Sequence, residues 1–144
     1  MNLDLAAIDD SLLARIKDQV NGFRTLESLD YEEQILEPGS KPLPACYTFV
    51  NGAAYESEQG NTGYQEGDVA ITIFIKTKNL RGKGAARKAD NGAYAMTTKT
   101  ADALLGYSPT ACAPLQLASI EAVRVTKTEA IFAVSFTAPT SEDF

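Results

Sequence analysis

The sequence predicts an α+β fold, with a small, mainly antiparallel sheet of about four to five strands and two main helices packed on it. Three observations carry that expectation. Residues 4–20 place apolar side chains at helical spacing, and Val69, Ile71, Ile73 and Ile75 recur at a period of two. Residues 117–126 and 129–137 form two apolar-rich runs separated only by Lys127-Thr128. A chain of 144 residues suits one domain with its own core, so 1–144 is expected to fold as a unit, with 138–144 as a flexible tail.

The elements follow in chain order. Leu5, Ile8, Leu12, Ile16 and Val20 stand three and four apart, which builds one apolar stripe on a helix, while Asp9, Asp10, Lys17 and Asp18 fall on other faces. Asp4 is suited to cap its start, and Asn21-Gly22 to end it. Residues 23–29 are short and mixed in polarity, as in a half-buried strand. Between residues 30 and 44, Glu32, Glu33 and Glu37 precede Pro38, Pro42 and Pro44, and so many prolines predict an exposed loop.

Residues 45–51, Ala-Cys-Tyr-Thr-Phe-Val-Asn, have strand composition, and Gly60 and Gly63 mark a turn after them. Val69 to Lys76 alternates most regularly and is expected to be a central strand. Residues 79–88 read as a basic connection opened by Gly82 and Gly84. A second helix is expected over 97–105, with Ala101, Leu104 and Leu105 inward, stopped by Gly106 and Pro109. Ile131, Ala133 and Ser135 then alternate against Phe132, Val134 and Phe136 in the second arm of a hairpin. Residues 139–144 are polar and acidic, and form the expected tail.

Composition narrows the chemistry. The chain is 44% hydrophobic and 22% charged, ordinary values for a folded protein, and no apolar run nears the roughly 20 residues that a membrane helix requires. Met1-Asn2-Leu3-Asp4 has neither the basic start nor the apolar core of a secretory signal, so assembly in a cytoplasm is expected. There is no histidine, which removes the commonest general base and metal ligand. Cys46 and Cys112 are far apart and read as small apolar residues, not as a disulfide framework or thiolate metal site.

The net charge of −6 argues against a duplex-binding module, whose affinity comes largely from neutralising phosphates. That average conceals a segregation. Residues 1–66 hold twelve acidic and four basic side chains, 67–99 two acidic and seven basic, and 100–144 five acidic and two basic. Dispersal over a solvated surface is one explanation, and a surface with two poles suited to packing between copies is the other.

Each catalytic or ligand motif weakens on inspection. Gly82-Lys83-Gly84 lacks the spacing and the hydroxyl of a phosphate loop. Glu32, Glu33 and Glu37 lack the Asp-x-Asp-x-Asp-Gly spacing of a calcium loop and are better read as a solvated acidic loop than as paired catalytic carboxylates. Cys46 has no histidine to activate it. Tyr47, Phe49, Tyr55, Tyr64, Tyr94 and Tyr107 lie in or beside apolar stretches, so packing explains them better than base stacking. No catalytic residue, metal site or cofactor is expected.

From the central strand onward the sequence resembles the family of Mu-like, contractile-tailed prophage proteins that includes the tail terminator. The resemblance is carried by Val69 to Lys78, by Asn79-Leu80-Arg81, Ala85-Ala86-Arg87, Gly92-Ala93-Tyr94 and Ala103-Leu104-Leu105-Gly106, and by the hairpin behind them. It covers roughly residues 67–137, about half the chain, and more loosely the first helix.

The resemblance implies a non-enzymatic virion protein that forms a homohexameric ring at the head-proximal end of the tail, in the neck region. Such a ring stops tube and sheath addition and presents a surface to a neck or connector protein. The implied partners are further copies of the chain, the tube protein, the sheath protein and that neck protein, with no membrane and no sequence-specific nucleic acid. A closed ring requires unlike faces that meet, and segregated charge can select them. Asn79, Arg81, Lys83, Arg87 and Lys88 are therefore expected at a subunit or partner interface, with Glu32, Glu33 and Glu37 as the opposing acids. Other readings stay open: another neck or head-tail joining protein, a small anion-binding module, and, least favoured, an enzyme using Cys46 or a carboxylate pair.

Overall fold

The computed structural model describes residues 3–37, 41–56, 64–78 and 92–143. Helix α1 spans Leu5–Gln19, and the Asp4 carboxylate accepts the Ala7 N–H at 3.1 Å, satisfying one of the free donors of the first turn. It ends on extended Val20, whose N–H reaches the Ile16 carbonyl at 2.8 Å. Gly22 does adopt a left-handed backbone, with φ of 109°, but two residues beyond that cap. Ile8, Leu12 and Ile16 are completely buried, each contributing roughly 2 kcal/mol through removal of apolar surface from water.

The sheet has five strands in the order β1-β2-β3-β5-β4, where β1 is Thr25–Ser28, β2 Ala45–Tyr55, β3 Tyr64–Lys78, β4 Gln116–Val125 and β5 Glu129–Asp143. Only β1 and β2 are parallel; every other pair is antiparallel. The fold class is the expected α+β, and β3 is central. Its Val69, Ile71, Ile73 and Ile75 meet Ala138, Phe136, Val134 and Phe132 of β5 in register, and this face carries the core.

Helix α2, Ala93–Leu104, packs with α1 on that face. The Arg15 guanidinium lies 5.0 Å from the centre of the Tyr107 ring, and its Nε donates to the Ala103 carbonyl at 2.9 Å, tying the two helices together. The helices cover β1, β2, β3 and β5 and stop short of β4.

Several expectations need correction. Helix α2 starts at Ala93, four residues before the predicted position, and Leu105, expected inward, is 54% exposed because the helix has already ended at Leu104. Residues 138–143, expected as a tail, continue β5 and pair with β3, from Ala138 against Val69 to Asp143 against Tyr64. The stretch after Asp30 is no simple exposed loop. It forms a 3-10 turn at Glu32–Ile35 with Gln34 and Ile35 buried on the sheet face opposite the helices.

Gly67 faces Tyr55 across the ladder, where a Cβ would run into the Ala54 carbonyl and stand 2.7 Å from the Tyr55 Cα. Close backbone approach therefore requires glycine there. The turn expected at residues 59–63 and the basic connection at 79–88 lie outside the described residues.

Candidate assembly surfaces

The acidic turn is anchored from beneath. Lys76 is buried on β3, and its Nζ donates to the Glu37 carbonyl at 2.6 Å and lies 3.4 Å from Glu129 Oε2. Gln34 accepts the Asp30 N–H through Oε1 at 2.9 Å and donates to Glu27 Oε1 at 3.1 Å. The Tyr31 hydroxyl donates to Glu37 Oε1 at 2.8 Å, and that bond to a carboxylate, with neighbouring negative charge, holds the phenol above its ordinary pKa.

Of the expected acids, Glu32 and Glu33 thus stand exposed to solvent, whereas Glu37 is half-buried and held. Among the described residues no three His, Cys, Asp or Glu side chains converge on a metal-sized site. Beside the turn, Leu29, Tyr31, Ile35, Phe49 and Phe74 line an apolar hollow of about 290 Å³.

Asn79, Arg81, Lys83, Arg87 and Lys88 lie outside the described residues, so the expected meeting of these cations with the acidic turn has no geometry to report. The strand before them ends at Lys78, which pairs with Glu129. Around that lower end of the sheet, Arg24, Lys41 and Lys78 share with Glu129 a hollow of about 350 Å³, Lys41 lies 3.7 Å from Glu27, and Lys127 occupies the tip of the β4–β5 hairpin, so that cations outnumber acids there. At the upper end Glu56, Glu66 and Asp68 line a hollow of about 600 Å³. The sheet therefore has a basic end and an acidic end.

Of the two cysteines, Cys46 sits apart from these surfaces, whereas Cys112 borders the upper hollow. Cys46 is fully buried in the core, and burial pushes its thiol far above the range in which a thiolate forms near neutrality; half-buried Cys112 moves in the same direction for the same reason. Thiol labelling of the native chain at mildly alkaline pH is expected to modify Cys112 slowly and leave Cys46 untouched until denaturant is added. Rapid labelling of Cys46 in the folded protein would contradict this placement.

Sequence reasoning missed one surface. Strand β4 is exposed on both faces and unpaired on its outer side among the described residues, and its Leu117, Ile120, Val123 and Val125 are between 41 and 46% exposed. Its aperiodic apolar run resembles that of a strand buried on both faces, so composition gave no sign of exposure.

A family model for the phage tail terminator protein matches residues 1–141. The chain belongs to the phage tail terminator family. No curated protein matches it. Membership makes it a structural protein of the virion tail that works through contacts with other tail components. The sites that matter in such a family are surfaces, in keeping with a fold whose charged and apolar groups gather at the ends and edges of one sheet.

Proposed function

We propose that the chain is one subunit of a hexameric ring that closes the head-proximal end of a contractile, Mu-like tail. The ring blocks further tube and sheath addition and joins the tail to the neck or connector. It assembles in the cytoplasm of the bacterial host. The observation that supports this reading, within the family assignment, is the polarity of the sheet: Arg24, Lys41 and Lys78 at one end, and Glu56, Glu66 and Asp68 at the other. Copies set side by side with strands aligned form a ring with one basic and one acidic rim, so that its two faces receive different partners.

The segment after Lys78 carries Arg81, Lys83, Arg87 and Lys88, with Asn79 beside them, and in this reading these cations contact the tube or a neighbouring subunit, the acidic turn with Glu32, Glu33 and the more enclosed Glu37 carrying the opposite charge. Complementary charge of this kind sets orientation and speeds docking, while apolar burial holds the assembly.

Electron microscopy of tails made with and without the chain tests the function. With it, tubes should end at a uniform length under a ring, and without it they should overrun. Reversal of Arg81 and Arg87 to Glu should reduce the fraction of ringed tubes several-fold while leaving the purified chain folded. Tube lengths indifferent to the chain would remove the terminating role, and ring yield equal to wild type in the double reversal would remove these arginines from the interface.

A further inference from the structure

Large apolar side chains left in water need an explanation when they gather. Among the described residues ten are exposed, and seven of these gather in two groups, one along β4 and one about the acidic turn beside β1 and β2. Leu117, Ile120, Val123 and Val125 line the β4 edge, while Tyr31, Leu36 and Phe49, between 41 and 48% exposed, belong to the acidic turn and to the β2 face beside it. Scattered singly they would be unremarked, but rows on two flanks mark contact surfaces.

The two edges are unlike in charge. Residues 27–37 hold Glu27, Asp30, Glu32, Glu33 and Glu37 and no basic residue; with Glu27 engaged by Lys41 at 3.7 Å and Glu37 by Tyr31, Asp30, Glu32 and Glu33 are left to give this flank its charge. On the β4 flank, Arg124 and Lys127 outnumber Glu121, since Glu129 is engaged by Lys76. The backbones also match. Strand β1 covers only Ala45 to Thr48 of β2, so the β2 stretch from Phe49 to Ala54 lacks an outer strand among the described residues, as does β4. Because β2, β3, β5 and β4 alternate in direction, β4 runs opposite to β2, and a copy placed alongside with the same face toward its helices offers that lane an antiparallel strand.

We propose that the β4 edge of one copy docks on the β1–β2 edge and acidic turn of a second copy, with Arg124 and Lys127 facing Glu32 and Glu33. The contact is heterologous, so it repeats around a ring and leaves no edge open once the ring closes. It rests on the ring reading above and names the surfaces that such a ring would use.

The test follows the full chain by sedimentation and light scattering over a wide concentration range. Wild type should associate, and Arg124→Glu with Lys127→Glu should weaken association at least tenfold. Adding Glu32→Lys and Glu33→Lys to that variant should restore it. Ile120→Lys should weaken association as strongly, with circular dichroism unchanged because the β4 side chains already face water. In a Cys112→Ser background, Val123→Cys chains mixed with Glu33→Cys chains should cross-link, and neither should cross-link alone.

Oligomers that survive the β4 substitutions, reversals that fail to rescue, or Val123→Cys chains that couple to each other would overturn the docking and leave the ring reading standing. A wild-type chain that remains monomeric at every concentration would overturn both.

Discussion

Phe136→Ala is expected to lower the unfolding free energy by about 4 kcal/mol, measured by urea denaturation with an unchanged slope. Phe136 is fully buried on β5, between Ile71 of β3 and Leu117 of β4, on the face that α1 and α2 cover. Truncation removes most of a ring from the centre of a core built of branched side chains and leaves a cavity that a paired sheet collapses into poorly. Leu117→Ala, one strand over in the same row, is expected to cost less than about 1 kcal/mol, because that side chain is already 41% exposed. The contrast is informative about assembly as well as folding. Equal costs at the two positions would mean that β4 is covered in solution, which free chains at high dilution should not show.

The difference between those two neighbours also shows where sequence reasoning stops. The alternation from Val69 to Ile75 was legible because one sheet face is buried and the other is mixed, and the stripe on α1 because a helix repeats its inward positions every three to four residues. The hairpin was legible because its arms are adjacent in the chain. Strand order was not. Nothing in the residues of β4 says that the helices end over β5, so an apolar strand that looks like core is left at the edge.

The upper part of β5 was missed for the opposite reason. Beyond Thr137 it has lost β4 as a neighbour and is held by backbone bonds to β3, so its side chains are free to be polar and its sequence reads as a tail. The acidic turn was half legible. Its charges and prolines announced an exposed segment, but Gln34 and Ile35 are buried, and the turn is tied to the sheet by a lysine some forty positions later, in β3, that bonds the Glu37 carbonyl. Of the expected interface residues, Glu32 and Glu33 stand in solvent, and Glu37 is half-buried and held by Tyr31.

That lysine supplies the second large effect. Glu129→Ala is expected to destabilise the chain by about 3 kcal/mol, because it leaves a buried ammonium with the Glu37 carbonyl as its one remaining partner among the described residues. The pair lies inside the protein, with side-chain exposures of 3% for Lys76 and 15% for Glu129, so water replaces the lost carboxylate poorly. Combining Glu129→Ala with Lys76→Met should recover at least half of the loss, since an apolar chain of similar volume then occupies the site with no charge to solvate. Additive losses in the double variant would show that the two charges are not coupled.

Lys76→Met should have a second signature. The Glu37 carbonyl loses its donor, and the turn carrying Glu32 and Glu33 loses its link to β3, so hydrogen exchange at the Leu36 amide, which bonds to the Glu33 carbonyl at 3.0 Å, should speed up. Stability restored by Lys76→Met without restored protection at Leu36 would separate the two duties of this lysine. Association through the acidic turn should then be weakened by more than the remaining loss of stability accounts for, because the charges that guide docking would no longer be held in place.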